Sequence, residues 1–256
     1  MVKMLIFDLD KTLLNSETCI SDRSISVLEK CRIRGIRICY ATARSAQAAS
    51  RMTAQFAPDV FIGYGGALTT AGGEVIYRSE ISTEMSHKLI NECLNSNEAI
   101  TVLAVTENLA LSSRMSAPSE KDSSHYKYFD FRSMPEHGFL KISLKADNPQ
   151  TVERIAANYP ELDMLRYTGE DLYRFANRNA AKWNAIKAAA EYYSESTKDY
   201  IAFGDDLIDV EMIKKCGTGV AMENAVDEVK AAADYVCGTN DGDGAAEWIE
   251  ENVLHK

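Results

Sequence analysis

One stretch near the start constrains this chain more than any other: Met4-Leu5-Ile6-Phe7-Asp8-Leu9-Asp10-Lys11-Thr12-Leu13-Leu14. It opens as a short, unbroken apolar run. Such a run reads as a parallel strand buried on both faces. It then breaks into two carboxylates one residue apart, with a hydroxyl two residues further on. In open α/β sheets, ligands bind at the carboxyl ends of the strands. Were the strand to continue, Asp8 and Asp10 would point to the same side, roughly 6.6 Å apart. A turn after Asp8 would bring them closer. Two adjacent acids can hold a hard cation, and a carboxylate is also a competent nucleophile toward phosphorus. The plainer alternative is an acidic turn, since Asp is common in turns.

The rest of the first third repeats the strand-helix alternation of a parallel sheet. Ser21 caps a helix carrying Ile25, Leu28 and Ile33, with Gly35 as its stop. Ile36 to Ala41 is a second strand. It ends in Thr42-Ala43-Arg44-Ser45, where a helix begins and runs to about Phe56. A hydroxyl at a strand's carboxyl end, before a helix N-terminus, suits an anion. It equally suits a helix cap. Val60 to Ile62 is a third strand, followed by Gly63-Tyr64-Gly65-Gly66-Ala67 and a hairpin to Tyr77 with its tip at Ala71-Gly72-Gly73.

From Ser82 to Asn179 the pattern changes to short alternating strands and two helices, Glu84 to Leu94 and Pro149 to Asn158. That suggests an α+β unit with one sheet face covered. Within it, Ser113 to His137 has no clear period and holds Arg114, His125, Tyr126, Lys127, Tyr128, Phe131 and Arg132. A loop of that length is commonly functional or disordered. An Ala-rich helix then opens with Lys182 in its first turn and Lys187 further along. A cation there opposes the helix dipole, so a negative partner is expected. Tyr200 to Phe203 is another buried strand, ending in Gly204-Asp205-Asp206-Leu207-Ile208-Asp209. Asp205 and Asp209 share a face if they lie in one helical turn.

These four positions together resemble the signatures of the haloacid dehalogenase superfamily, and most closely its Cof-like, type IIB sugar-phosphate phosphatases. The match covers nearly the whole chain and is weakest in the inserted unit. The resemblance implies a Rossmann-like core with helices on both faces of a parallel sheet. It places the core at 1–81 and 180–256, with an inserted α+β cap of the C2 type at 82–179. It implies a phosphoric monoester hydrolase that forms an aspartyl-phosphate. Asp8 is then the nucleophile and Asp10 the general acid and base. Thr42 and Lys182 bind the phosphate, and Arg44 is a substrate-binding candidate. Asp8, Asp205 and the backbone carbonyl of Asp10 hold Mg²⁺, with Asp209 either a direct ligand or acting through one. Three positions depart from the subfamily pattern. Lys11 and Gly65 stand where Gly and Asn are usual, and Ile208 replaces an Asn.

An electrostatic argument also favours a metal. Four carboxylates cannot share a pocket without positive charge to offset desolvation and repulsion. A net charge of −10, from 28 basic and 38 acidic residues, argues against a nucleic-acid partner. It leaves a small phosphorylated metabolite open as the substrate. The six cysteines form no C-x-x-C pair and read as free buried thiols. The absence of a leader pattern or of a long apolar run leads us to expect a cytoplasmic protein with no membrane contact. Two other readings fit the same residues. One is a phosphomutase using the same aspartyl-phosphate. The other is a non-catalytic phospho-acceptor or binding protein.

Overall fold

The structure is a computed structural model that describes residues 1–96, 98–114, 126–167 and 171–255. In chain order it opens with β1 (Met4–Phe7), α1 (Asp22–Ile33), β2 (Arg37–Ala41), α2 (Ala46–Met52), β3 (Val60–Gly63), β4 (Leu68–Ala71) and β5 (Glu74–Arg78). Then come α3 (Thr83–Leu94), β6 (Thr101–Val105), β7 (Ala110–Ser112), β8 (Tyr126–Tyr128), β9 (Lys141–Lys145), α4 (Pro149–Ala157), β10 (Leu162–Arg166) and β11 (Leu172–Asn177). The chain closes with α5 (Lys182–Tyr192), β12 (Tyr200–Gly204), α6 (Val210–Lys215), β13 (Thr218–Ala221), α7 (Asp227–Ala232), β14 (Tyr235–Val236) and α8 (Gly244–Ile249).

The chain divides into two compact units, Met1–Arg78 with Ala181–Lys256, and Ser79–Ala180. The first is built on an eight-stranded sheet in the order β14-β13-β12-β1-β2-β3-β4-β5. From β14 to β3 every neighbour pairs in parallel, and β4 and β5 add an antiparallel edge. The central strands are apolar throughout because helices cover both their faces. Phe7 of β1 stacks on Phe203 of β12 at 4.9 Å between ring centroids. The hairpin tip is Gly72-Gly73, both at positive φ, the backbone that the favoured two-residue turn requires. Gly35 ends α1 at φ +77 as expected. The inward stripe of α1, however, is Ser24, Val27, Leu28 and Cys31, and Ile33 is exposed at the last turn. Helix α2 also stops short of the expected Phe56.

The second unit is a six-stranded sheet, order β10-β11-β9-β6-β7-β8. All pairings are antiparallel except β7 with β8. Helices α3 and α4 supply Leu89, Ile90, Val152 and Ile155 to a core shared with Val102, Ile142, Leu144 and Phe175. Part of the stretch expected to be a loop, 113–137, is strand β8. Three residues are too few to show a period. His125 lies outside the described residues. Among the described residues, no helix is long and apolar enough to cross a membrane.

Candidate active site

Three chain segments of the first unit bring the expected residues together. Strand β1 ends at Phe7, and the Asp8 amide donates to the Phe203 carbonyl at 3.0 Å. This parallel pairing puts the residues after β1 beside those after β12, so Asp8 and Asp205 emerge side by side. The backbone after Asp8 turns instead of continuing as a strand. Lys11 sits at φ +58, which explains why glycine suits that position. The Asn224 side chain ties the turn down by donating to the Lys11 carbonyl at 2.8 Å.

Lys182 is the first residue of α5 and is the hub of the site. Its Nζ donates to Asp8 Oδ1 at 2.5 Å and to Asp209 Oδ1 at 2.6 Å. All three side chains are buried, with Asp209 fully inaccessible. The second oxygen of Asp209 accepts from the Asp205 and Asp206 amides at 3.1 and 3.2 Å. Asp205 Oδ1 accepts from the Thr12 hydroxyl at 2.8 Å. Thr12 belongs to the opening motif, but its role as a support for Asp205 was not evident from sequence. One ligand oxygen from each of Asp8, Asp205 and Asp209 lies within 4.8 Å of the others.

Two glycines allow this convergence. A Cβ on Gly66 (φ +103) would sit 2.3–2.6 Å from the backbone of Ala181 and Lys182. The bare turn after β3 thus lets the start of α5 approach. A Cβ on Gly204 would sit 2.5 Å from the Asp209 side chain. Gly204→Ala is therefore expected to push Asp209 off Lys182 and cost about 2–4 kcal/mol, by the magnitude of overpacking plus a disturbed buried ion pair. Chemical denaturation of the variant checks this, and an unchanged midpoint would contradict it.

The electrostatics follow from burial. Desolvation pushes the Asp8 carboxyl well above its usual range, with Asp209 and Asp205 adding repulsion and Lys182 opposing. Asp205 is pushed up to about 6, mainly by burial and then by Asp209, against the Thr12 hydrogen bond. Burial disfavours the Lys182 cation, but Asp209 and Asp8 outweigh it and its pKa rises. The proton therefore stays on Lys182. Three buried oxygen donors with one cation among them suit a small hard dication, which binds carboxylates and keeps room for other oxygen ligands.

Asp10 is placed differently. Its carboxylate lies outside this group of three and is gripped in bidentate fashion by Arg44. The Nε–Oδ2 distance is 2.8 Å and the Nη2–Oδ1 distance 2.6 Å. Arg44 was expected as a substrate contact; its partner here is Asp10. Thr42 stands at the end of β2, one strand over from Asp8, almost fully buried. Its hydroxyl accepts from the Arg44 amide at 3.1 Å, and Ser45 takes the capping role on α2. Lys187 is not linked to these carboxylates. Gly65 forms part of the turn, its amide donating to the Thr42 carbonyl at 2.9 Å. All six cysteines are free, and burial holds the Cys31, Cys93, Cys216 and Cys237 thiols at about 11–12.

Over residues 5–249 the sequence matches the haloacid dehalogenase-like hydrolases, and the chain belongs to that family. Among its relatives is the 5-amino-6-(5-phospho-D-ribitylamino)uracil phosphatase YcsE of Bacillus subtilis. It is 26% identical over 259 residues, covering 99% of this chain and 96% of that protein. The HMP-PP phosphatase of Klebsiella pneumoniae is 25% identical over 238 residues, covering 90% and 88%. Among solved structures, the phosphatase BT1666 from Bacteroides thetaiotaomicron aligns with a TM-score of 0.85 at 24% identity, over 98% of this chain and 95% of that one. The subclass IIB sugar phosphatase BT4131 gives a TM-score of 0.80 at 23% identity, over 98% of each chain. These two likenesses establish the fold.

Proposed function

We propose that this chain is a Mg²⁺-dependent phosphatase of small phosphorylated metabolites, acting through an aspartyl-phosphate on Asp8. The observation that carries this reading is the buried Asp8–Lys182–Asp209 cluster, with Asp205 beside it, at the carboxyl ends of β1 and β12. Family membership and relatives named as phosphatases of 5-amino-6-(5-phospho-D-ribitylamino)uracil and of HMP-PP support the reaction class.

In this scheme an Asp8 oxygen attacks phosphorus, and the bond from phosphorus to the ester oxygen breaks. Asp10 hands its proton to the departing oxygen. It then takes one from the water that attacks the aspartyl-phosphate, which releases phosphate and restores Asp8. Lys182 holds Asp8 in place and offsets its charge. Thr42 contacts the non-bridging oxygens of the phosphoryl group. Asp8, Asp205 and Asp209 would hold Mg²⁺ together with the Asp10 carbonyl. That ion, when bound, supplies charge stabilisation for the transferring phosphoryl group.

Arg44 enters as the positioning residue for Asp10. Its fork occupies both carboxylate oxygens, so the pair must open on at least one side before Asp10 can carry a proton. Arg44→Lys keeps the charge but loses the bidentate geometry. We expect kcat to fall roughly 10- to 100-fold, as for loss of a charge-assisted hydrogen bond, with KM little changed. A changed KM at constant kcat would instead make Arg44 a substrate contact.

Steady-state hydrolysis of p-nitrophenyl phosphate and a panel of sugar phosphates, with Mg²⁺ and with chelator, tests the reading as a whole. Turnover that needs the metal is expected. No metal-dependent release of phosphate from any member would overturn the reading.

A further inference from the structure

In the second unit, side chains alternate between the two faces of the six-stranded sheet. Val102, Ala104, Ile142, Leu144, Tyr173 and Phe175 pack in one core with α3 and α4. The intervening residues therefore occupy the opposite face, where neither helix packs. There Arg174 of β11 lies directly across from Ser143 of β9. Lys141 and Lys145 flank Ser143 two residues away on the same strand and face. In a chain of net charge −10, this face gathers three cations.

Arg174 is the unusual member. It is only 5% exposed, and its Nε is buried without a hydrogen-bond partner. Among the described residues its one ion pair is from Nη2 to Asp163 at 3.3 Å, and the Asp163 side chain is 55% exposed. A buried guanidinium has five N–H donors in a planar fork. Leaving the buried Nε donor unmet among other cations is costly. The usual remedy in proteins is a planar or tetrahedral oxyanion, which such a fork grips with two bonds.

We infer that Arg174, with Ser143 beside it and Lys141 and Lys145 around it, forms an oxyanion-binding site for a carboxylate or phosphate group. The bound group is a free oxyanion, held by this unit alone.

The test is calorimetric titration of the full-length metal-free protein with sodium sulfate, for wild type, Arg174→Met and Arg174→Lys. Any sulfate held by the catalytic cluster is common to all three and drops out of the comparison. Arg174→Met is expected to weaken sulfate binding at least tenfold, the loss of a charge-assisted hydrogen bond or more. Arg174→Lys, which retains the charge and guards against a folding artefact, should lose less. Equal binding by all three proteins would overturn the site.

The titration needs no turnover, so its failure is separate from failure of the phosphatase reading.

Discussion

Lys182→Met is expected to destabilise the metal-free chain by about 3–5 kcal/mol, the scale for removing one partner of a buried ion pair. Methionine nearly matches the lysine stem in volume, so packing loss is small. What remains is Asp8 and Asp209 facing each other with no cation between them. Both depend on the Nζ at 2.5 and 2.6 Å. A chain of this size should lose on the order of 10 °C in Tm. The loss should also depend on pH. Burial already raises the Asp8 pKa, and without Lys182 it rises further. A proton taken up on acidification then replaces the missing cation, so the penalty should shrink as pH falls from 8 toward 5. A penalty that is small or the same at both ends of that range would contradict the charge argument. Phosphatase turnover by the variant should fall by roughly three orders of magnitude or more, as for members of a catalytic unit.

Asp205→Asn is expected to have the opposite effect on the metal-free protein, making it more stable at neutral pH. The folded pKa of Asp205 is about 6, against an ordinary value of 3.8. A carboxyl whose pKa is raised on folding binds a proton more tightly when folded. Its contribution is therefore most favourable at low pH and is lost as pH rises from about 4 through 6. Two units correspond to about 3 kcal/mol at pH 7. Asparagine is neutral at every pH, and its Oδ1 still accepts from Thr12. The variant should gain about 2–3 kcal/mol without metal and lose that part of the wild type's pH slope. With Mg²⁺ the order should reverse. Wild type gains about 4.1 kcal/mol at 1,000 times its dissociation constant, and Asp205→Asn gains little. Urea denaturation at pH 5 and 7.5, with and without metal, checks both halves. A variant less stable than wild type in chelator would contradict the burial argument.

The parts of this site legible in the sequence are those encoded by neighbours in the chain. An apolar strand followed at once by acid, as at Phe7-Asp8 and Gly204-Asp205, states both the burial and the chemistry locally. Lys182 was legible because a cation in the first turn of a helix favours an anionic partner and because its place resembles a signature of the family. The Arg44–Asp10 pair was not, because 34 residues separate the two and only the adjacency of β1 and β2 brings them together. Gly66 read as a simple turn, since its reason lies in the approach of Ala181, more than a hundred residues later. Thr12 stood in plain view, but nothing local says that its hydroxyl reaches Asp205. In the second unit the strand and helix positions were close to those observed, whereas the short β8 was missed. The buried Arg174 follows from strand register, which alternation alone does not fix.

In the proposed function Asp8 is the nucleophile of a metal-dependent phosphatase. The most direct measurement is p-nitrophenyl phosphate hydrolysis by wild type and Asp8→Asn, each with Mg²⁺ and with chelator. Asparagine keeps the shape and an acceptor for Lys182 but is not a nucleophile. Wild-type turnover is expected to require the metal, and Asp8→Asn is expected to lose roughly 10³-fold or more. Comparable metal-dependent turnover by a folded Asp8→Asn protein would contradict it.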